Sequence, residues 1–343
     1  MNTQWNTFLT QRGATLEQGR VMHFGNPAAE LQATAQGNVI TDLSHLGLLQ
    51  IEGDDAVTFL QGQVTNDVKQ LNGSNSHYSG YCNPKGRMLA LFLAFVHNGH
   101  LHLQLNGELT ENIAKRLKMY VLRSKVTISN ISDSIIRIGI AGPQAATTLN
   151  ALFGDAPQAP HQLISLETVT LLQLPGTTPR FEIFTDPENA ADIWAQLQQT
   201  STPIGASCWD WLDIQAGIPD VTPATVEAFV PQMLNLDLLE GINFKKGCYT
   251  GQEIVARTHY LGKVKRRTHL AHVEVPATPQ AGDPVYGTGS TEAVGMVVSA
   301  APAPRGGFDL LVELRLESLE AGAVHLAGQD GPLLAVTPLA ETA

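Results

Sequence analysis

The chain has 343 residues, 43% of them apolar and 15% charged, and carries a formal net charge of −11. That is material for two or three domains with full cores, and the composition excludes a disordered chain. The longest apolar run, Met88 to Val96, is nine residues, against the roughly twenty that a membrane-spanning helix needs.

The N-terminus, Met1-Asn2-Thr3-Gln4-Trp5, has neither a basic region nor an apolar stretch and does not read as a secretory signal. Residues 1–35 are polar and weakly patterned, and a helix and a loop are expected there, as an N-terminal extension. Leu48 to Ile51 reads as a strand, and Gly53-Asp54-Asp55 caps a short helix that runs to Gln61. Met88 to Val96 and His100 to Leu105 flank Asn98-Gly99, the dipeptide favoured in type I′ turns, and so predict a hairpin. A helix is expected over residues 109–122, strands over 126–131 and 135–140, and a helix over 144–153. Strands at 169–174 and 181–185 follow, and Pro187 opens a helix over 188–198. Strand pairs alternating with single helices predict an α+β class built of βαββαβ units.

After residue 268 the texture changes to short apolar runs separated by Gly and Pro, which predict a small β-barrel. Ala300 to Pro304 is expected as a loop. The resulting division is an extension (1–35), a first α+β unit (36–140), a second (141–267) and a barrel (268–343). Residues 219–267 are expected to be a loop-rich surface lining a cleft.

The stretch richest in chemistry is Lys246-Gly247-Cys248-Tyr249-Thr250-Gly251-Gln252-Glu253. Adjacent glycines permit positive φ and close approach of a ligand. Neighbouring cations, Lys245 and Lys246, favour a thiolate, the form that attacks electrophiles and binds soft metals. Cys82 and Cys208 lie in apolar or aromatic company and are expected in the core. Three well-separated cysteines form no disulfide framework, and a reducing compartment, the cytoplasm, is expected. His97, His100 and His102 gather on the hairpin, but spacing adds no third strong ligand, so no metal site is expected. No Walker, HExxH, GxSxG or CxxC motif is present, and Gly287-Thr288-Gly289 reads as a turn.

Basic residues are concentrated. Residues 245–267 hold seven of the 21 (Lys245, Lys246, Arg257, Lys263, Lys265, Arg266 and Arg267) against one acid, Glu253. Residues 115–125 hold five more and no acid. Such clusters on an acidic chain attract an anionic ligand, a folate carboxylate tail ahead of RNA, because the overall negative charge opposes non-specific phosphate binding.

The run from Phe229-Val230-Pro231-Gln232-Met233 through the Cys248 motif to Arg257 resembles the hallmark of the YgfZ family. These are folate-binding proteins linked to iron–sulfur cluster assembly and tRNA modification, and relatives of the glycine-cleavage T-protein. Leu60-Gln61-Gly62-Gln63-Val64-Thr65-Asn66-Asp67 and Ala216-Gly217-Ile218-Pro219 match further family signatures. The resemblance implies a T-protein-like body of ferredoxin-like α+β units followed by a β-barrel. It implies tetrahydrofolate, or a derivative, as cofactor, and iron–sulfur assembly proteins or client enzymes as partners, with no membrane partner. Cys248 would be the functional thiol, with Lys246 and Arg257 supplying positive charge. Trp209 and Gln215 would contact folate in the cleft, with Tyr78 nearby, while Tyr249, Gln252 and Glu253 shape the loop or position a ligand. The segment Tyr78 to Leu91 departs from the T-protein, where it ends in two aspartates. Here those positions are Ala90 and Leu91, and aminomethyl transfer is not expected. Two other readings stay open: one-carbon transfer to an acceptor other than glycine, and direct tRNA binding.

Overall fold

A computed structural model describes residues 2–260 and 262–337. It opens with α1 (Thr3–Gln11), the hairpin β1 (Thr15–Glu17) and β2 (Arg20–His23), and α2 (Pro27–Gln36). There follow β3 (Val39–Asp42), β4 (Leu46–Glu52), α3 (Ala56–Gln61), β5 (Ser76–Cys82), β6 (Met88–His97), β7 (His100–Asn106), α4 (Thr110–Met119), β8 (Thr127–Asn130) and β9 (Ile136–Ala141). Next come α5 (Ala145–Phe153), β10 (Leu163–Ser165), β11 (Val169–Leu174), β12 (Arg180–Thr185), α6 (Pro187–Leu197), β13 (Thr202–Pro203) and α7 (Ala206–Gln215). The last part has α8 (Gln252–Tyr260), β14 (Arg266–Val273), β15 (Pro284–Gly287), β16 (Ala293–Pro302), β17 (Phe308–Arg315), α9 (Leu316–Ala321), β18 (Val324–Leu326) and β19 (Ala335–Thr337).

Strands and helices are mixed throughout, as an α+β class requires. Asn98 and Gly99 both take positive φ, 50° and 78°, and close the β6–β7 hairpin as their dipeptide predicts. The expected helix over 109–122 stops at Met119. Met119, Tyr120 and Leu122 are all exposed, so no burial rewards a further turn. The loop expected at Ala300 to Pro304 is in part strand, because β16 stays paired with β17 as far as Pro302.

The expected contiguous segments are not how the contacts divide. One unit takes the chain up to Ala56 with Lys69–His77 and Leu93–Leu212; the other takes Val57–Val68, Tyr78–Phe92 and everything from Asp213. Within the first unit a six-stranded sheet runs in the order β10-β11-β12-β9-β3-β13. Ile136, Ile138 and Ile140 of β9 face one way and join a core with Leu149, Trp194, Trp5 and Leu9. Residues 1–35 are therefore no appendage: the Trp5 ring meets Trp194 edge-on at 5.7 Å, and its indole N–H donates to Asp42 at 2.7 Å. The opposite face carries Arg137, Arg180, Glu182 and Phe184, all buried. Within the same unit it meets β7 and the end of β6, neighbours in the five-stranded order β5-β6-β7-β4-β8, through Phe95–Phe184, with centroids 4.8 Å apart, and through Gln104 Nε2 donating to Glu182 at 3.0 Å.

The second unit holds the curled antiparallel sheet β18-β15-β16-β17-β14-β19, a half-barrel around Val285, Val297, Leu310, Val312 and Leu314. The expected loop-rich stretch 219–267 contains α8, which sequence pattern did not show because Val255 is the only buried residue in it. No helix among the described residues is long and apolar enough to cross a membrane.

Candidate functional site

The Leu60–Asp67 signature, the chain that enters the Cys248 loop and the strand at 78–80 meet within the second unit, and hydrogen bonds join them. Thr65 and Asn66 are polar yet buried, so each must find partners inside the fold. The Thr65 hydroxyl donates to the Gly241 carbonyl at 2.6 Å and accepts from the Gly80 N–H at 2.7 Å. The Asn66 side-chain amide donates to the carbonyls of Tyr78, at 2.9 Å, and Glu240, at 2.7 Å. Asn243 N–H donates to the Thr65 carbonyl at 3.0 Å. The strand that leads away from Tyr78 and the chain that enters the thiol loop are thus stitched to one short segment, 65–66.

Lys246 completes the assembly. Its ammonium donates to the carbonyls of Gln61 and Asn66, each at 2.8 Å, and to that of Val64. Three donors meet three acceptors, the full capacity of an ammonium. Its Nζ also lies 5.0 Å from the centroid of the Tyr249 ring. Burial lowers the Lys246 pKa to about 8, with Asp67 acting the other way. This corrects the expectation that Lys246 supplies free charge to the thiol: its charge is spent on holding the 61–66 segment. Tyr249 is buried as well, and burial raises its phenol pKa, with Cys82 adding to the effect. It is a packing residue of the loop.

Cys248 itself is exposed, whereas Cys82 and Cys208 are buried. Burial raises the Cys82 thiol to about 12 and that of Cys208 to about 11, so neither yields thiolate near neutral pH. The two loop glycines differ. Gly251 has φ 84° and lies so close to the 83–87 turn that a Cβ would sit 2.5 Å from the Asn83 carbonyl oxygen and 2.9 Å from Gly86 Cα. Only glycine fits there. A Cβ at Gly247 would meet nothing within 4 Å, so the expected need for glycine holds on one side of the thiol alone.

Behind the loop, α8 starts at Gln252. Glu253 is exposed in its first turn, and Arg257 is exposed in its last, complementing the helix dipole at both ends. Gln232, from the Phe229 to Met233 signature, is fully buried and donates to the Val255 carbonyl at 2.7 Å. Arg267 pairs with Asp237 and donates to the Gln232 carbonyl at 3.0 Å. Sequence reading missed Thr65, Asn66 and Gln232 as site residues. The available signal was a run of uncharged polar side chains among apolar ones.

Gln215 donates to Asp309 at 3.0 Å, and Asp309 also holds His272 at 2.8 Å and Arg305 at 3.1 Å. Tyr78 is buried, with its carbonyl committed to Asn66. Trp209 belongs to the first unit and is 2% exposed. A Cβ on Gly139 would come within 2.8 Å of its ring, and the Arg180 guanidinium lies 5.7 Å from its centroid. That corrects Trp209 as a ligand-stacking wall: it fills the space above a glycine in the sheet. Ala90 and Leu91 are buried on β6, so no carboxylate stands at either position. Among the described residues, no three of His, Cys, Asp or Glu gather as metal ligands.

The basic runs also come apart. Arg266 pairs through two nitrogens with Glu313, which is 1% exposed, and Lys125 pairs with Asp54 at 3.1 Å. Lys245, Arg257, Lys263 and Lys265 remain exposed.

Residues 6–243 match the family model of the GCVT N-terminal domain. The tRNA-modifying protein YgfZ of Yersinia pseudotuberculosis serotype O:1b is 34% identical over 258 residues, 75% of this chain and 78% of the relative. The tRNA-modifying protein YgfZ of Sodalis glossinidius is 33% identical over 244 residues, 71% and 74% of the two chains. In structure, the glycine cleavage system aminomethyltransferase T of Bartonella henselae superposes with a TM-score of 0.75 at 17% identity, over 99% of this chain and 97% of that one. The T-protein fold is therefore shared. With the motifs around Cys248 joined as they are, the chain belongs to the GCVT N-terminal domain family and, within it, to the YgfZ proteins.

Proposed function

We propose that this protein is a cytoplasmic, tetrahydrofolate-binding accessory factor that supports assembly or repair of iron–sulfur clusters, including those of enzymes that modify tRNA. The observation that carries the reading is the placing of Cys248. It is the exposed one of three thiols, on a loop that Lys246 pins to the 61–66 signature segment and that Gly251 packs against the 83–87 turn. A thiolate is a soft ligand suited to iron, and the cluster is cargo in this reading. The name of the YgfZ relatives supports the link to tRNA modification.

Folate is supported by the shared T-protein fold and by one feature of the residues present. A pterin offers an N–H and an amino group side by side, and these need acceptors. Gln215 has its amide nitrogen committed to Asp309, which leaves its carbonyl oxygen as an acceptor beside that carboxylate. Gln252 and Glu253, at the start of α8, are the further candidates for positioning the ligand. Ala90 and Leu91 offer no group that can move a proton at a folate nitrogen, so aminomethyl transfer is not part of the proposal.

Anaerobic titration with tetrahydrofolate, read by tryptophan fluorescence, paired with a cluster-transfer assay, tests both halves. Cys248→Ser is expected to bind folate as the wild type does and to lose cluster support. Equal cluster support by Cys248→Ser would remove the thiol from the mechanism, and no binding of tetrahydrofolate would remove the cofactor.

A further inference from the structure

One exposed feature of the second unit is left unused by folate or by the thiol. Phe244, at the entry to the thiol loop, stacks on His259 of α8 with ring centroids 3.7 Å apart and planes 13° from parallel. Tyr260 stands edge-on to both, 6.0 Å from Phe244 and 4.7 Å from His259. His259 is exposed and Tyr260 is 64% exposed. Large aromatic surface left in water on a folded protein marks an interaction site more often than a core residue out of place.

The charges at this place have one sign. Lys245 adjoins Phe244 in sequence, Arg257 shares a helix face with Tyr260 at i, i+3, and Lys263 and Lys265 follow the helix. All four are exposed, whereas Lys246, Arg266 and Arg267 of the same run are committed to structural partners. On a chain of net charge −11, four free cations beside an aromatic cluster form a local anion-attracting surface.

We propose that the Phe244–His259–Tyr260 cluster and its four cations form a binding platform for single-stranded RNA. Nucleobases stack on Tyr260 and His259, while successive phosphates meet Lys245, Arg257, Lys263 and Lys265. Stacking is the sequence-tolerant mode of single-strand recognition, because every base has a π-face. Duplex RNA keeps its bases stacked on one another and offers none to the rings. A polymer of phosphates fits four separate cations better than a small carboxylate ligand does. The platform is independent of the folate reading and places an RNA strand on the helix that follows Cys248.

The test is fluorescence anisotropy of a fluorescein-labelled twelve-nucleotide oligouridylate with the full chain, repeated over a range of salt. Wild type is expected to bind, with affinity falling as salt rises. Tyr260→Ala is expected to weaken binding about tenfold, and Tyr260→Phe to retain it. Lys263→Gln with Lys265→Gln is expected to lower the slope of log affinity against log salt by roughly 1.4, near 0.7 per lost charge on a single strand. These residues are exposed, so the variants keep the fold, and an unchanged tetrahydrofolate titration separates this result from the fate of the folate proposal. No binding by wild type at low salt, equal affinity for a duplex of the same charge, unchanged affinity in Tyr260→Ala, or displacement of the oligonucleotide by tetrahydrofolate would each overturn the platform.

Discussion

Lys246 reaches back across 180 positions of sequence to donate to the Asn66 carbonyl at 2.8 Å, and the same ammonium serves Gln61 and Val64. The lysine of the thiol motif is therefore the bolt of the N-terminal signature, which explains why these two separated stretches both carry the family resemblance. Removing the ammonium leaves up to three carbonyls without a partner. Each buried orphan costs roughly 1–3 kcal/mol unless water replaces the donor. Lys246→Met is expected to lower stability by about 2 kcal/mol or more and to loosen the Cys248 loop. Urea unfolding and limited proteolysis read the two effects, and an unchanged midpoint with an unchanged cleavage pattern would show that the bolt holds nothing.

Titration of the same group has a defined sign. With its folded pKa lowered by burial to about 8 from an ordinary value of 10.5, the folded chain gives up this proton before the unfolded one does. Between those values the unfolded state binds more protons, so the Lys246 contribution to stability rises with pH. Below pH 8 it is constant.

Thiol reactivity follows from burial. Cys248 alone among the three cysteines is exposed, and burial suppresses thiolate at Cys82 and Cys208. Native protein treated with iodoacetamide at neutral pH is expected to lose one thiol quickly and two slowly, and Cys248→Ser to lose the fast phase. A fast phase that survives this substitution would place the reactive thiol elsewhere.

The basic run at 263–267 divides into two kinds of residue. Lys263 and Lys265 are exposed, and surface cations contribute at most a few tenths of a kcal/mol, so Lys263→Gln with Lys265→Gln is expected to leave Tm nearly unchanged. Arg266→Gln strands Glu313, which is 1% exposed, and stranding one partner of a buried pair costs about 3 kcal/mol. Thermal melts of the two variants should differ by several degrees, and equal melts would contradict the pairing.

Acid should destabilise the first unit before its carboxylates are neutralised. Burial lowers both His102 and His161 to about 4 from an ordinary value near 6.5, and lowers His45 well below that value. As pH falls from 6.5 towards 4 the unfolded chain takes up protons that the folded one refuses, and stability drops by up to roughly 3 kcal/mol for each of His102 and His161. Asp42 works the other way: burial raises its pKa, so the folded state takes up that proton first. His102→Gln is expected to flatten the loss measured by urea unfolding between pH 6.5 and 4. An identical pH profile in that variant would exclude His102 as a source.

What was legible in the sequence was what local rules govern. The Asn98-Gly99 turn dictates its hairpin, and the alternating isoleucines of β9 dictate a strand with one face in a core. The exposed thiol announced itself by its glycine and lysine company. Hidden was whatever depends on a partner far away in the chain. Nothing near Lys246 points to three carbonyls at 61–66, and nothing near Arg266 points to Glu313. Trp5 and Leu9 read as a polar tail until Trp194 supplies the other half of their core. Helix α8 escaped notice because the helical period has no meaning with one buried residue.

Trp209 shows the same limit at a site residue and leads to a test that separates packing from binding. Its place before Ala216-Gly217 resembles that of a folate-contacting tryptophan, yet its ring occupies the space over Gly139 and is 2% exposed. Truncating a fully packed tryptophan costs about 3–5 kcal/mol, whereas losing a stacking wall costs on the order of 1 kcal/mol of ligand affinity with the fold intact. Trp209→Ala is therefore expected to lower the urea midpoint strongly while the folded fraction keeps its tetrahydrofolate affinity. Gly139→Ala makes the complementary test, since its Cβ would collide with the same ring at 2.8 Å, and a loss of stability similar in kind is expected. Wild-type stability in Trp209→Ala together with weakened folate binding would return Trp209 to the ligand and show that its burial is relieved when folate arrives.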